Sequence, residues 1–103
     1  MVIYNKLVRD KIPEMIRAQG ESPNIRILEQ EEYLRHLEQK LDEEVSEYHR
    51  DKNPEELADI LEVVYALAEN MGHTKEELLE VCQKKHDERG GFRDRIFLIS
   101  NDG

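Results

Sequence analysis

Leu34, Leu37, Leu41, Val45 and Tyr48 step by three or four residues. Leu57, Ile60, Leu61, Val64, Leu67, Ala68 and Met71 do the same. That period gathers apolar side chains on one face of a helix and conflicts with the strict alternation of a half-buried strand. A chain patterned this way folds as packed helices.

The punctuation between the runs fixes their ends. A short helix is predicted from Asp10 to Ala18, with Pro13 tolerated in its first turn. Gly20 to Asn24 reads as a loop. A long helix is expected from Gln30 to Arg50, then a turn at Asp51-Lys52-Asn53. Asn53 as N-cap, Pro54 at the first position and acids at 55 and 56 start the next helix, which Gly72 ends. Thr74 and Glu77 form a capping box for the last helix, which stops at Arg89 before Gly90-Gly91. Val2–Tyr4, Ile25–Ile27 and Arg95–Ile99 are candidates for short extended segments that pair with one another. The expected architecture is all-α: an antiparallel bundle of three long helices plus a short N-terminal helix, with room for short terminal strands.

Residues 1–103 suffice for one domain with a modest core. Only 6% of residues are aromatic and Trp is absent, so that core must be aliphatic. Helices this amphipathic in so short a chain are expected to complete their core as a homodimer or higher homo-oligomer. The one cysteine, Cys82, excludes an intrachain disulfide and a multi-cysteine zinc site and is expected to pack as a small apolar residue. No apolar run approaches the roughly 20 residues of a membrane span. The opening MVIYNKLVRDKI lacks the apolar stretch of a signal peptide. A cytoplasmic setting without membrane contact is the expectation.

The formal charge is −9. Residues 20–83 hold six bases and eighteen acids, whereas residues 1–19 and 84–95 are each net +2. This disfavours binding to nucleic-acid polymers. The acidic middle is either a solvated helical surface or a carboxylate-rich cation site with basic groups converging on it.

Two acidic pairs test the second reading. Glu44 and Glu47, and likewise Glu56 and Asp59, are three residues apart and share a helix face. At about 100° per residue, Glu44 and Glu47 flank the apolar stripe of their helix, with Lys40 between them, while Glu43 falls on the far side. Glu56 falls inside the apolar arc of its own helix and Asp59 at its edge. An acid within an apolar arc is costly unless paired or metal-bound. Two readings remain open: Glu56 and Asp59 serve the helix start and its dipole while Glu44 and Glu47 pair with Lys40 and Arg50, or the four acids enclose a cation. None of the four histidines has an acid three residues before it, so a di-iron Glu-x-x-His site is excluded, and no EF-hand loop is present. An all-carboxylate set points to Mg²⁺ or Mn²⁺.

On the last helix Lys85 and Arg89 continue the line of Leu78, Val81 and Cys82. They either cap a helix C-terminus or meet the phosphates of a metal-bound ligand.

Three segments in order carry a resemblance. Lys40-Leu41-x-Glu43-Glu44-x-x-Glu47 followed by Glu56-Leu57-Ala58-Asp59-Ile60-Leu61-Glu62-Val63-Val64 resembles the MazG-like all-α nucleoside triphosphate pyrophosphohydrolases. The opening Tyr4-Asn5-Lys6-Leu7-Val8-Arg9-Asp10-Lys11-Ile12-Pro13 and the ending Lys85-x-x-x-Arg89-Gly90-Gly91-Phe92 are similar to a house-cleaning branch of that superfamily. The resemblance implies a homodimer or larger assembly and Mg²⁺-dependent cleavage of a nucleoside triphosphate to a monophosphate and pyrophosphate. It implies metal ligation by Glu44, Glu47, Glu56 and Asp59, with Glu44 or Glu47 handling the attacking water. Lys40, Lys85 and Arg89, joined by Lys6 and Arg9, would bind phosphates. The eight residues between Glu47 and Glu56 are fewer than in many MazG proteins, so a tight turn is expected. Two alternatives stand beside this one: a phosphoribosyl-ATP pyrophosphohydrolase, or a non-catalytic acidic helical interaction module.

Overall fold

Four helices and no strand make up the computed structural model, which describes residues 1–103. They are α1 (Ile12–Ala18), α2 (Gln30–Asp51), α3 (Pro54–Asn70) and α4 (Lys75–Arg89). The all-α class and the helix boundaries follow the apolar period and the caps.

α2 and α3 form a helical hairpin around a two-residue turn. Lys52 ends α2 in the left-handed region (φ 47°), and its N–H donates to the Tyr48 carbonyl at 2.8 Å. Asn53 is extended, and its side chain accepts the Glu56 N–H at 3.0 Å. Pro54 then enters the helix at a position that needs no N–H donor. At the far end of the hairpin, Gln30 donates to the side chain of Asn70. Between these ends lie Leu37 of α2 and Val63 and Ala68 of α3, the only buried apolar residues.

Gly72 (φ 88°) supplies the left-handed conformation that turns the chain out of α3. Thr74 and Glu77 make the capping box in both directions, at 2.9 and 3.1 Å. α4 then packs on α3 over a small part of its length and does not touch α2. From Met71 to Gly103, Leu78 alone is even partly withdrawn from water.

Two expectations are corrected. Cys82 is exposed, not packed, because α3 reaches the apolar line of α4 only near Leu78 and leaves the rest of it bare. Residues 2–4, 25–27 and 95–99 form no strands. Such short segments gain a sheet's hydrogen bonds only beside partners, and within one chain they find none.

The outcome is an unfinished core. The radius of gyration is 18.2 Å and the extents are 63 × 32 × 22 Å. A compact chain of about 100 residues has a radius near 13 Å. The accessible surface is 9490 Å², against about 6,000 Å² for a folded monomer of this mass. No helix is long and apolar enough to cross a membrane.

Candidate metal centre

The tight turn sets the last turns of α2 against the first turns of α3, and both acidic pairs lie there. Glu44 is 6% exposed, the only buried charged residue. Glu47, Glu56 and Asp59 are half-buried. Carboxylate oxygens of Glu44, Glu56 and Asp59 all lie within 4.8 Å of one another. A second triple, Glu43, Glu44 and Glu47, meets the same limit, so Glu44 is the hinge of both.

Two oxygens in this cluster are orphans. Glu44 Oε2 and Glu56 Oε2 are buried and accept no hydrogen bond. The other Glu44 oxygen lies 3.4 Å from Lys40 Nζ. Burial pushes the Glu44 carboxyl above the usual carboxylate range, and sharing a hydrogen bond and charge with Glu47 pushes further, against Lys40. Glu56 is likewise raised, by burial first and then by the charges of Glu47, Asp51 and Asp59. Buried acceptors without donors, crowded by like charge, are costly. A hard divalent cation would remove that cost, because every donor is an oxygen and the unsatisfied atoms are those a cation needs. The oxygen-only donors fit a hard divalent cation such as Mg²⁺ or Mn²⁺, with Glu44, Glu56 and Asp59 as one triple that could hold it and Glu43, Glu44 and Glu47 as the other.

The N-terminal segment lies across this end of the hairpin. Leu7 and Val8 cover a groove of about 100 Å³ whose walls include Leu37, Lys40, Glu44, Asp59 and Val63. Lys6 Nζ donates to Glu43 Oε1 at 3.4 Å. Arg9 Nη1 donates to Asp59 Oδ1 at 3.2 Å, and its Nη2 lies 3.7 Å from Glu62 Oε2. One basic residue thus grips each helix, and Asp59 meets a cationic group already.

Of the basic residues singled out in the sequence, Lys40, Lys6 and Arg9 stand beside the acids. Lys85 and Arg89 do not: both are exposed on α4, and neither lines the groove. Two acids were missed. Glu43 points away from the apolar stripe by angle, yet it reaches both Lys40 (3.5 Å) and Lys6. Lys40 three residues before it was the available signal. Glu62 entered through Arg9, a contact fifty-three residues distant that helical spacing does not encode.

No protein-family model matches this chain, and no solved structure matches it. The chain is similar to an uncharacterized protein of Mycolicibacterium smegmatis, 60% identical over 42 residues. Those residues are 41% of this chain and 43% of that protein, so the match spans less than half of either.

Proposed function

We propose that the chain is a Mg²⁺-dependent nucleoside triphosphate pyrophosphohydrolase, acting in the cytoplasm to remove unwanted nucleotides. The observation that carries this reading is the pair of orphaned buried oxygens, on Glu44 and Glu56, within one oxygen-only cluster. The three-segment resemblance to MazG-like enzymes supports the same reaction.

Glu44, Glu47, Glu56 and Asp59 hold the cation. Bound there, Mg²⁺ supplies Lewis acidity and charge neutralisation for the triphosphate. Glu44 or Glu47 takes up the proton of the water that attacks the α–β anhydride bond. Lys40, Lys6 and Arg9 balance the charge on the phosphates and on the departing pyrophosphate. Lys85 and Arg89 join them only from a second copy of the chain.

The groove over the acids, about 100 Å³, has room for a cation and its water. Small-molecule pockets usually run from about 300 Å³ upward. The base and sugar therefore need walls that one copy does not supply.

The test is a panel of nucleotides assayed for pyrophosphate with and without Mg²⁺. It should include the common triphosphates, damaged-base triphosphates, dUTP, dCTP and phosphoribosyl-ATP. Release that needs Mg²⁺ is expected from at least one nucleoside triphosphate. Release confined to phosphoribosyl-ATP would replace the substrate, and release from none would remove the enzymatic reading.

A further inference from the structure

The largest feature that the acid cluster leaves unexplained is apolar surface with nothing on it. Leu57 and Leu61, one turn apart on α3, are each about half exposed, at 48% and 49%. After Gly90-Gly91 the chain makes a turn closed by the Arg95 N–H on the Phe92 carbonyl and continues as a terminal arm with no helix or strand. Its residues Ile96, Phe97, Leu98 and Ile99 form an unbroken apolar run that is 77 to 88% exposed.

We propose that these two surfaces bind each other between two copies of the chain: the arm of each copy lies along α3 of the other. Three observations select a second copy as the occupant. The first is area. Each chain exposes roughly 3,400 Å² more than a compact monomer of its mass would. Two copies together therefore carry roughly 6,900 Å² of excess surface, and the roughly 2,000–5,000 Å² or more that an obligate homodimer buries over both partners removes a large part of it.

The second is charge. α3 carries Glu55, Glu56, Asp59, Glu62 and Glu69 and no basic residue. From residue 89 onward the helix end and the arm carry Arg89, Arg93 and Arg95 against Asp94 and Asp102, with the three arginines before the apolar run. An apolar run with basic neighbours meets an apolar stripe with acidic neighbours.

The third is direction. α4 starts where α3 ends, whereas Leu57 and Leu61 lie near the start of α3. Residues 79–89 are exposed throughout, so α4 does not lead its own arm back to that stripe. α2, the longest helix, spans about 33 Å, and the molecule extends 63 Å. One arm and one stripe per copy make a closed two-fold exchange, which leaves neither surface bare.

The experiment uses full-length chains carrying Cys82→Ser. One batch carries Leu57→Cys and the other Phe97→Cys, and the two are mixed, oxidised mildly and run without reductant. A disulfide-linked pair containing one chain of each kind is expected. Sedimentation of the unmodified protein should give about twice the 12.2 kDa chain mass. Leu61→Cys repeats the test should Leu57→Cys fold poorly. Phe97→Asp should shift the protein to the monomer. A monomeric unmodified protein would overturn the proposal. So would a dimer without the mixed link, or a link that forms only within a single chain bearing both cysteines.

Discussion

Lys40 and Glu44 lie one turn apart on α2, and their charged groups meet at 3.4 Å with both side chains largely withdrawn from water. The pair has one ammonium for a carboxylate whose second oxygen has no partner. Removing the lysine leaves the carboxylate buried and less compensated. Lys40→Met should destabilise the cation-free protein by about 1–3 kcal/mol at neutral pH. It should also push the Glu44 carboxyl further up, because Lys40 is what opposes burial there. Urea unfolding and a side-chain NMR titration measure the two effects. An unchanged titration would show that Lys40 does not act on Glu44.

Glu44 and Glu56 both titrate above the ordinary carboxylate range, chiefly through burial. The folded protein therefore binds protons there more readily than the unfolded chain does. Their contribution to stability is fully present below about pH 4.3, the unfolded glutamate value, and is lost as pH rises through the raised folded values. Without a divalent cation, these two groups make the protein less stable as pH rises to neutrality. Glu44→Gln should raise the Tm of the cation-free protein at pH 7, flatten this part of its pH dependence and abolish stabilisation by Mg²⁺. Thermal melts of both proteins across pH, in EDTA and in Mg²⁺, report all three. A variant less stable than the parent in EDTA at pH 7 would contradict the account.

Glu47→Gln and Asp59→Asn each remove a charge from the cluster while keeping its shape. Both should abolish Mg²⁺-dependent pyrophosphate release and leave the helical circular dichroism intact. Full activity in either variant would remove that residue from the cation site.

Arg9 already neutralises Asp59 from outside, at 3.2 Å. A cation that uses Asp59 must compete with it. Arg9→Gln should therefore tighten Mg²⁺ binding, by up to about fivefold given the usual worth of an exposed ion pair, while slowing turnover through loss of a phosphate ligand. Calorimetric titration with Mg²⁺ beside steady-state kinetics separates the effects. Weaker Mg²⁺ binding in the variant would show that Arg9 supports the site instead of competing for it.

Lys52 holds a left-handed conformation that costs a side-chain-bearing residue energy. Lys52→Gly keeps the turn and removes that cost, so it should raise stability by about 1 kcal/mol in urea unfolding. A loss of stability would mean that the lysine side chain, which lies over the Tyr48 ring at 5.9 Å, is worth more than the relief.

The helices were legible because their signals are local. The spacing of Leu34, Leu37 and Leu41, the Asn53-Pro54 start and the Thr74–Glu77 box each act within a turn or two. The angular positions of Glu44 and Glu56 were legible for the same reason, since an acid beside or inside an apolar arc is visible without knowing the partner helix. The surroundings of Cys82, Lys85 and Arg89 were not. Periodicity says which face of α4 is apolar and says nothing about what covers it, and within one chain almost nothing does. The grip of Lys6 and Arg9 on opposite helices is also invisible to spacing, because it depends on where an irregular segment crosses the hairpin.

Every acid of the cluster lies between residues 43 and 62, on either side of a two-residue turn. Contacts so close in sequence form early and fast, since little loop entropy opposes them. The anionic pocket can therefore assemble before α4 and the arm find their places. Ion binding at that stage adds directly to folding free energy. A cation bound there would serve the chain first as a folding ligand, captured by the nascent hairpin, and only afterwards as part of a finished site.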